Sequence, residues 1–372
     1  MKTTKILTIL VLALGLVAEI ANADFTFGTP TDLGPVVNTS AGDAQPSTSV
    51  DGLSLYFASG RPGGYGIYLV DIWVTKRETT NEEWDLPVNL GPTVNSGAVE
   101  ASPSISADGL SLFFCDCLRG AILPKRPDGY GNGDLWVTTR TTKDDDWGPP
   151  VNLGPVINSS AHDDEPDIST DGLSLYFSSE RSDGLNGLDL WVTTRATKDD
   201  DWGNPVNLGP KVNSSADDNC PSISADDLAL FFASRRPGGQ GQWDLWLTTR
   251  RTKYDDWGSP VNLGPIINDS GNDFGPEISH DGSTLYFCTH RIGTGDADLW
   301  QASIEPVVDL NTDGIIDSAD MCIMVDHWGE DYSLCDIGPM PWGDGIVDVQ
   351  DLIVLAEHLF EEFPPAEIEP AE

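Results

Sequence analysis

The string Leu-Gly-Pro-x-x-Asn occurs five times, beginning at Leu33, Leu90, Leu153, Leu208 and Leu263, with spacings of 57, 63, 55 and 55 residues. A repeat of this length constrains the fold more than composition does, because each copy must be one supersecondary unit that buries its apolar face against its neighbours. Within each unit the order is fixed. Eight residues after the motif's Asn stands a proline (Pro46, Pro103, Pro166, Pro221, Pro276), followed by a segment such as "SISADGLSLFF". A glycine-rich stretch of variable length comes next, then "DLWVTTR", then "TKDDDWGPPVNLG" into the following copy.

Three of these segments carry strand signatures, rich in aromatic and β-branched residues and bounded by Asp-Gly or glycine-rich turns. The short Pro-led segment and "LSLYF" flank an Asp-Gly turn, which makes them a hairpin. "WGxPVNLG" reads as a fourth, edge-like strand, where a proline is tolerated. Four antiparallel strands repeated about every 55 residues describe a β-propeller blade. The first three strands occur five times. The fourth also occurs five times, but its first copy is the N-terminal "FTFGTPTDLG", so the last blade is expected to be completed by the N-terminus. The expected fold is mainly β, a five-bladed propeller of four-stranded blades; six blades is the alternative and would need a further copy of the repeat. Asp-Gly after a Pro-led strand, "LYF", Ser and Arg, a Gly-rich turn and "DLW" together resemble the TolB-type, WD-like propeller repeat over about 280 residues. The resemblance implies an architecture and a tendency to bind partners, not an activity.

Sixty Asp and Glu against 20 Lys and Arg give a formal charge of −40, which speaks against nucleic acid or an anionic membrane as partner and favours cations. Residues 1–23 read as a signal peptide: Lys2 and Lys5, an apolar run from Ile6 to Val17, and Ala21-Asn22-Ala23 as cleavage site. No later segment is long enough to span a bilayer. An exported chain at the cell surface or outside the cell is expected, with the periplasm as alternative. His162, His280, His290, His327 and His358 lack metal-ligand spacing, and no serine-hydrolase, P-loop or zinc-protease motif is present.

Acids that recur in every blade read as scaffold: Asp71, Asp134, Asp189, Asp244 and Asp298 before the blade Trp, and Asp51, Asp108, Asp171, Asp226 and Asp281 at the hairpin turn. Asp43, Glu100, Asp163, Asp218 and Asp273 precede the first, innermost strand. They are expected to ring the channel mouth, either as a charged funnel or as turn carboxylates accepting backbone N–H bonds. The spacing differences all lie in the loop before "DLW", the expected working face. It carries Tyr65, Tyr68, Tyr130 and Trp243, suited to sugar faces or protein hot spots. Glu165, Asp167 and Glu277 break the repeat and are the only candidates for paired catalytic acids of a glycosidase.

After Ser303 the repeat ends. "DLNTDGIIDSAD" puts Asp309, Asn311, Asp313, Ile315, Asp317 and Asp320 at positions 1, 3, 5, 7, 9 and 12 of an EF-hand-like calcium loop, with Gly314 at the turn. A helix from about Ser318 to Trp328 follows, with Met321, Met324, Val325 and Trp328 at helical spacing. A second, degenerate copy has Asp344, Asp348 and Asp351 and a helix to Phe360; Met340 and Trp342 fall where ligands belong, and Asp336 could serve only through an expanded loop. Two such loop-helix units with Asp at position 12 resemble a type I dockerin. That resemblance implies folding on Ca²⁺ and docking to a cohesin-like domain of an extracellular scaffold that degrades polysaccharide, with Ser318-Ala319 and Val349-Gln350 as contact positions. Cys322 and Cys335 bracket the linker between the copies and could bridge it, whereas Cys115 and Cys288 read as core fillers. The expected division is a signal peptide at 1–23, the propeller at 24–303, the dockerin-like domain at 304–363 and an acidic Pro-rich tail at 364–372. The expected function is non-catalytic: a propeller that recognises a glycan or protein, tethered by its tail. A glycoside hydrolase with acids in the funnel and a structural surface component are the alternatives.

Overall fold

The computed structural model describes residues 25–65, 70–116, 125–185, 187–291, 296–311, 315–330, 335, 337–338 and 346–360. The expected leader and the acidic tail lie outside them. Two compact units result: Phe27–Ile304, and a second that contains Glu305–Glu372.

The first unit is a five-bladed propeller. In blade one the strands are Asp43–Thr48, Ser54–Ser59, Asp71–Lys76 and Val88–Asn89, paired antiparallel in that order. Blades two, three and four repeat this order from Ala101, Asp163 and Asp218. Blade five has Asp273–Ile278, Thr284–Thr289 and Asp298–Pro306. Its outer strand is Thr31–Asp32, in register with Gln301 and Trp300, so the N-terminal segment closes the ring. In blades one to four only Val-Asn of the expected fourth strand is paired as strand, while the N-terminal copy pairs through Phe25–Phe27 and Thr31–Asp32.

The recurrent motif explains itself in bonds. Its Asn completes the blade as a side-chain strand: Asn95 Nδ2 donates to the Ile72 carbonyl at 3.0 Å, and its Oδ1 accepts from the Ile72 N–H at 2.9 Å. Asn158, Asn213 and Asn268 do the same on Leu135, Leu190 and Leu245. The first copy, Asn38, makes both bonds to Leu299 of blade five, which is ring closure at atomic scale. Between blades pack fully buried Leu55, Phe57, Leu112, Phe114, Leu175 and Phe177, each contributing about 2 kcal/mol by burial. At the hairpin turn Asp51 Oδ1 accepts from the Leu53 N–H, and Gly52 takes φ +65°. Blade four places Asp227 there at the same φ, where an L side chain is strained.

The second unit has a small core of Val308, Leu310, Ile316, Met324, Ile337, Val347, Val354 and Leu355 around helices α2 (Ser318–Asp326) and α3 (Val349–Glu357); α1 (Gly34–Val37) is a single turn in the propeller. Two bonds repeat with a 31-residue shift: Gly329 N–H donates to the Val347 carbonyl, and Phe360 N–H to the Ile316 carbonyl, each at 2.8 Å. The two halves are therefore copies that close on one another. The sequence pattern grouped Val325 and Trp328 with Met321 and Met324, but only Met324 is buried; Val325 and Trp328 are exposed. The thiols of Cys322 and Cys335 are free, the first exposed and the second buried, so the bridge considered for them is not formed. Among the described residues no helix is long and apolar enough to cross a membrane.

Candidate functional site

Each first strand carries a bulge before its proline. Gln45, Ser102, Glu165 and Cys220 take φ between +51° and +56°, and Gly275 takes +57°; register shifts between Ala44 and Ser47 and at the matching points of every blade. A bulge breaks strict alternation of side chains. The residues on either side of the proline therefore line the axis, where the channel narrows to spaces of about 50 and 30 Å³.

The residue after each proline belts the blades together. Ser47 Oγ accepts from the Ile105 N–H, Ser104 Oγ from Ile168 and Ser222 Oγ from Ile278, each at 3.1 Å. Asp167 Oδ2 accepts from the Ile223 N–H at 2.7 Å and Glu277 Oε1 from the Thr48 N–H at 2.7 Å, which completes the circle. Two of the repeat-breaking acids thus occupy structural positions. Their second oxygens reach back to Ser104 Oγ (3.0 Å) and Ser222 Oγ (3.4 Å). Glu165, one turn of the bulge away, accepts from the Cys220 N–H at 2.7 Å and from Gln45 Nε2 at 3.2 Å. Burial raises the proton affinity of all three above the ordinary carboxylate range, with the Asp164 charge adding at Glu165 and the Asp167 charge at Glu277. Burial likewise pushes the Cys220 thiol up.

The expected acid ring lies elsewhere. Asp43, Glu100, Asp163, Asp218 and Asp273 are fully buried and do not line the channel. Asp163 Oδ1 pairs with Arg181 Nη2 and accepts from Ser179 Oγ, both at 2.6 Å, and its Oδ2 accepts from the Ser159 N–H. Asp43, Glu100 and Asp218 pair in the same way with Arg61, Arg126 and Arg236. Asp273 accepts from the Asp269 N–H at 2.8 Å, and burial raises it to about 6. Each arginine also stacks on its blade Trp, as Arg181 does on Trp191 at 5.0 Å. These acids are buried joints of turn to blade, and the charged-funnel expectation is corrected.

The face where first strands begin also holds the loops between second and third strands, since Asp43, Ser59 and Asp71 lie in one row. There a cleft of about 510 Å³ opens between blades four and five. Trp243, Phe274, His290 and Arg235 form its walls, and Glu165 and Cys220 its floor. Arg235 covers Trp243 at 4.6 Å, and the rings of Phe274 and His290 stack at 5.5 Å. Two buried amide oxygens at its edge, Asn219 Oδ1 and Asn272 Oδ1, have no hydrogen-bond partner among the described residues; such groups are rare unless a ligand or water meets them. The structure thus brings Trp243 and Glu165 into one cleft. Tyr65 and Tyr130 are exposed on the loops of blades one and two, their backbone N–H groups held by Asp71 and Asp134; Tyr68 lies outside the described residues. Phe274, His290 and the two asparagines were missed because they occupy repeat positions that are unremarkable in the other blades.

In the second unit the loop acids are arranged twice. Asp317 caps α2 through the Ala319 N–H (2.6 Å), and Asp320, fully buried, accepts from the N–H groups of Leu310 (2.9 Å), Asn311 (3.2 Å) and Asp317 (2.8 Å). Asp348 caps α3 through Gln350, and Asp351 accepts from Gly338 and Asp348 at 2.7 and 2.6 Å, and from Ile337. Ile337 and Gly338 therefore stand where Leu310 and Asn311 stand in the first loop. In sequence Asp336 precedes Ile337 as Asp309 precedes Leu310, with 15 residues from Asp336 to Asp351 against 11 from Asp309 to Asp320. Asp313, Asp336 and Asp344 themselves lie outside the described residues. Among the described residues no group of three His, Cys, Asp or Glu is assembled to hold a metal ion. Ser318, Ala319, Val349 and Gln350 are all exposed.

No family model matches the chain, and no curated protein does. Solved structures similar to it include TolB from Acinetobacter baumannii, 14% identical over 73% of this chain and 56% of that one, with a TM-score of 0.45. An α-L-arabinofuranosidase from Lactobacillus brevis is 12% identical over 73% and 92% of the two chains, with a TM-score of 0.49. Zg3597, a family 117 glycoside hydrolase of Zobellia galactanivorans, is 11% identical over 76% and 92%, with a TM-score of 0.47. The chain spans 56% of the length of the A. baumannii protein. These likenesses are to the fold alone.

Proposed function

We propose that the chain is an exported, non-catalytic recognition protein whose propeller binds a glycan or a protein segment in the cleft over Glu165. Its C-terminal unit binds Ca²⁺ and docks to a cohesin-like domain of an extracellular scaffold concerned with polysaccharide breakdown. The cleft supports the first part: aromatic faces suit sugar rings, and the free carbonyls of Asn219 and Asn272 suit hydroxyl donors. A glycosidase requires two carboxylates flanking one bond. Glu165 is the single carboxylate of the cleft lining, while Asp167 and Glu277 are bonded into the blade belt.

The observation that carries the calcium reading is one of charge. Residues 305–372 hold 18 Asp and Glu and no Lys or Arg, and Asp320 and Asp351 are fully buried among them. The donor chemistry suits a hard cation: Asp309, Asn311, Asp313, Asp317 and Asp320 offer side-chain oxygens and Ile315 a carbonyl. Asp336, Asp344, Asp348 and Asp351 would supply the second loop. Bound Ca²⁺ would neutralise the carboxylates; the chain's own part is to cap α2 and α3 and to present Ser318, Ala319, Val349 and Gln350 at their exposed starts.

The test is capture of the full chain on immobilised cohesin domains with Ca²⁺ and then with chelator, alongside a glycan array probed with the same protein. Retention that chelator reverses supports docking, and glycan binding lost on Trp243→Ala supports the cleft. Ca²⁺-independent behaviour in the first assay and an empty array in the second would overturn the two parts separately.

A further inference from the structure

The five joints between neighbouring blades are not equivalent on the face opposite the loop cleft. There the turn after the third strand of blades one to four places a residue beside the hairpin Asp of the preceding blade, whereas the third strand of blade five runs on to Pro306 and places none at blade four. Lys198 Nζ lies 2.8 Å from Asp108 Oδ2, and Lys143 Nζ lies 3.8 Å from Asp51 Oδ2. Lys253 stands at the same repeat position in blade four. At the joint of blades five and one the repeat places Thr80 there, facing Asp281. The blade-five wall also differs, because its outer strand comes from the N-terminus and leaves Gln301 and Ser303 uncovered by the usual turn. A cleft of about 470 Å³ results.

Asp281 is set as its counterparts are. Its Oδ1 accepts from Ser279 Oγ at 2.7 Å and the Ser283 N–H at 3.0 Å, as Asp108 Oδ1 does from Ser106 and Leu110. In blade two the other oxygen takes the lysine; in blade five Asp281 lines the cleft instead. Against a burial penalty, the bonds from Ser279 and Ser283 hold Asp281 below the ordinary carboxylate range, so it is an anion at neutral pH. Arg77 lines the cleft, stacked on Trp84 at 4.1 Å with Nε donating to the Gly52 carbonyl. The same arginine accompanies lysine at the other joints (Arg140 with Lys143, Arg195 with Lys198), so it leaves room for a second cation.

We propose that this cleft is a binding slot for a primary alkylammonium group, which would rest on Asp281 as Lys143 and Lys198 rest by Asp51 and Asp108 at the joints of blades one and two and of blades two and three. The source is either a lysine side chain of a partner or a free diamine. The surrounding charge of −40 draws such cations toward the protein, and the hydroxyls of Ser303 and Thr80 suit the remaining ammonium protons. The slot lies on the face opposite the aromatic cleft and does not depend on it.

The test titrates the full chain with Nα-acetyl-lysine amide, with the neutral norleucine analogue as control, followed by NMR. Saturable binding is expected for the lysine probe only, weaker by about tenfold in Asp281→Asn, the loss of one charge-assisted hydrogen bond. Thr80→Lys supplies the ammonium in cis and is expected to abolish binding while raising the melting temperature. Equal shifts with both probes, or unchanged lysine binding in a folded Thr80→Lys protein, would overturn the proposal. A peptide with an internal lysine that competes assigns the slot to a partner's side chain; competition by cadaverine alone assigns it to a free amine, and either result carries the ammonium assignment.

Discussion

Both units bury carboxylates completely, and they neutralise them in opposite ways. Asp163 in the propeller is 0% exposed and lies 2.6 Å from Arg181, which stacks on Trp191 and reaches the Ile157 carbonyl. Asp320 and Asp351 in the C-terminal unit are equally buried, yet no Lys or Arg exists between residues 305 and 372 to meet them. Backbone N–H groups hold their geometry but do not cancel their charge. In the propeller the turn acids Asp43, Glu100, Asp163 and Asp218 thus find their counter-charge within the chain. The smaller unit has no such partner in its own sequence, and under the proposed function a divalent cation would supply the missing charge.

The comparison breaks first at the arginines. Arg181→Met leaves Asp163 buried without its partner and is expected to lower propeller stability by about 3–5 kcal/mol, read from urea unfolding by tryptophan fluorescence. A cost below about 1 kcal/mol would mean that the pair behaves as a surface ion pair and that the buried-joint account is wrong. The complementary experiment is removal of Ca²⁺. With Ca²⁺ a thousandfold above its dissociation constant the C-terminal unit should gain about 4 kcal/mol. In calorimetry chelator should therefore shift one transition down and leave the propeller's in place. Two transitions indifferent to chelator would remove the contrast between the units.

Much of this was legible in the sequence because the repeat states its own constraints. Five copies of the Asn motif required five equivalent bonding sites, and the displaced first copy at Asn38 required closure on blade five, where it bonds Leu299. Glu165, Asp167 and Glu277 stood out as breaks in an otherwise uniform strand, and they do lie on the axis. The acid ring was misplaced for a specific reason. Position along the first strand gives distance from the axis, but the bulge at residues such as Gln45 and Cys220 resets which side chains face inward. Period-two reasoning carries no information across that point. The expanded second C-terminal loop was foreseen only as a condition on Asp336; the bonds from Ile337 and Gly338 to Asp351 now give the flanking residues a register that suits it.

A third kind of buried acid sharpens the contrast: the channel acids have no arginine bonded to them, and burial favours their protonated form. Burial raises Asp167 to about 7 and Glu165 and Glu277 to about 8. A carboxyl whose folded value is raised stabilises the fold fully below its unfolded value and loses that contribution as pH climbs through the folded value. The propeller is therefore expected to lose stability as pH climbs from 5 to 9, by about 4 kcal/mol for a single carboxyl raised to about 8 and by more where all three contribute. Asp167→Ser, which installs the residue found at Ser47, Ser104 and Ser222, should flatten part of that slope while keeping the belt bond to Ile223. A wild-type melting temperature constant across this range would sink the protonated-belt account.

The smallest effect concerns a flaw within the repeat itself. At the hairpin turn four blades place glycine at positive φ (Gly52, Gly109, Gly172 and Gly282), and blade four places Asp227 there at +65°. Its Oδ1 is buried without a partner among the described residues, and burial, with the neighbouring Asp171 charge, raises it to about 6. Strain and an unmet oxygen are both costs that the other blades avoid. Asp227→Gly is expected to stabilise the propeller by about 1 kcal/mol, seen as a rise of a few degrees in its melting transition. The gain should be larger at pH 8 than at pH 5, because the removed carboxyl is charged only at the higher pH. A loss of stability at both pH values would mean that Asp227 is held there by interactions with Arg250 and Lys253 that outweigh its backbone strain.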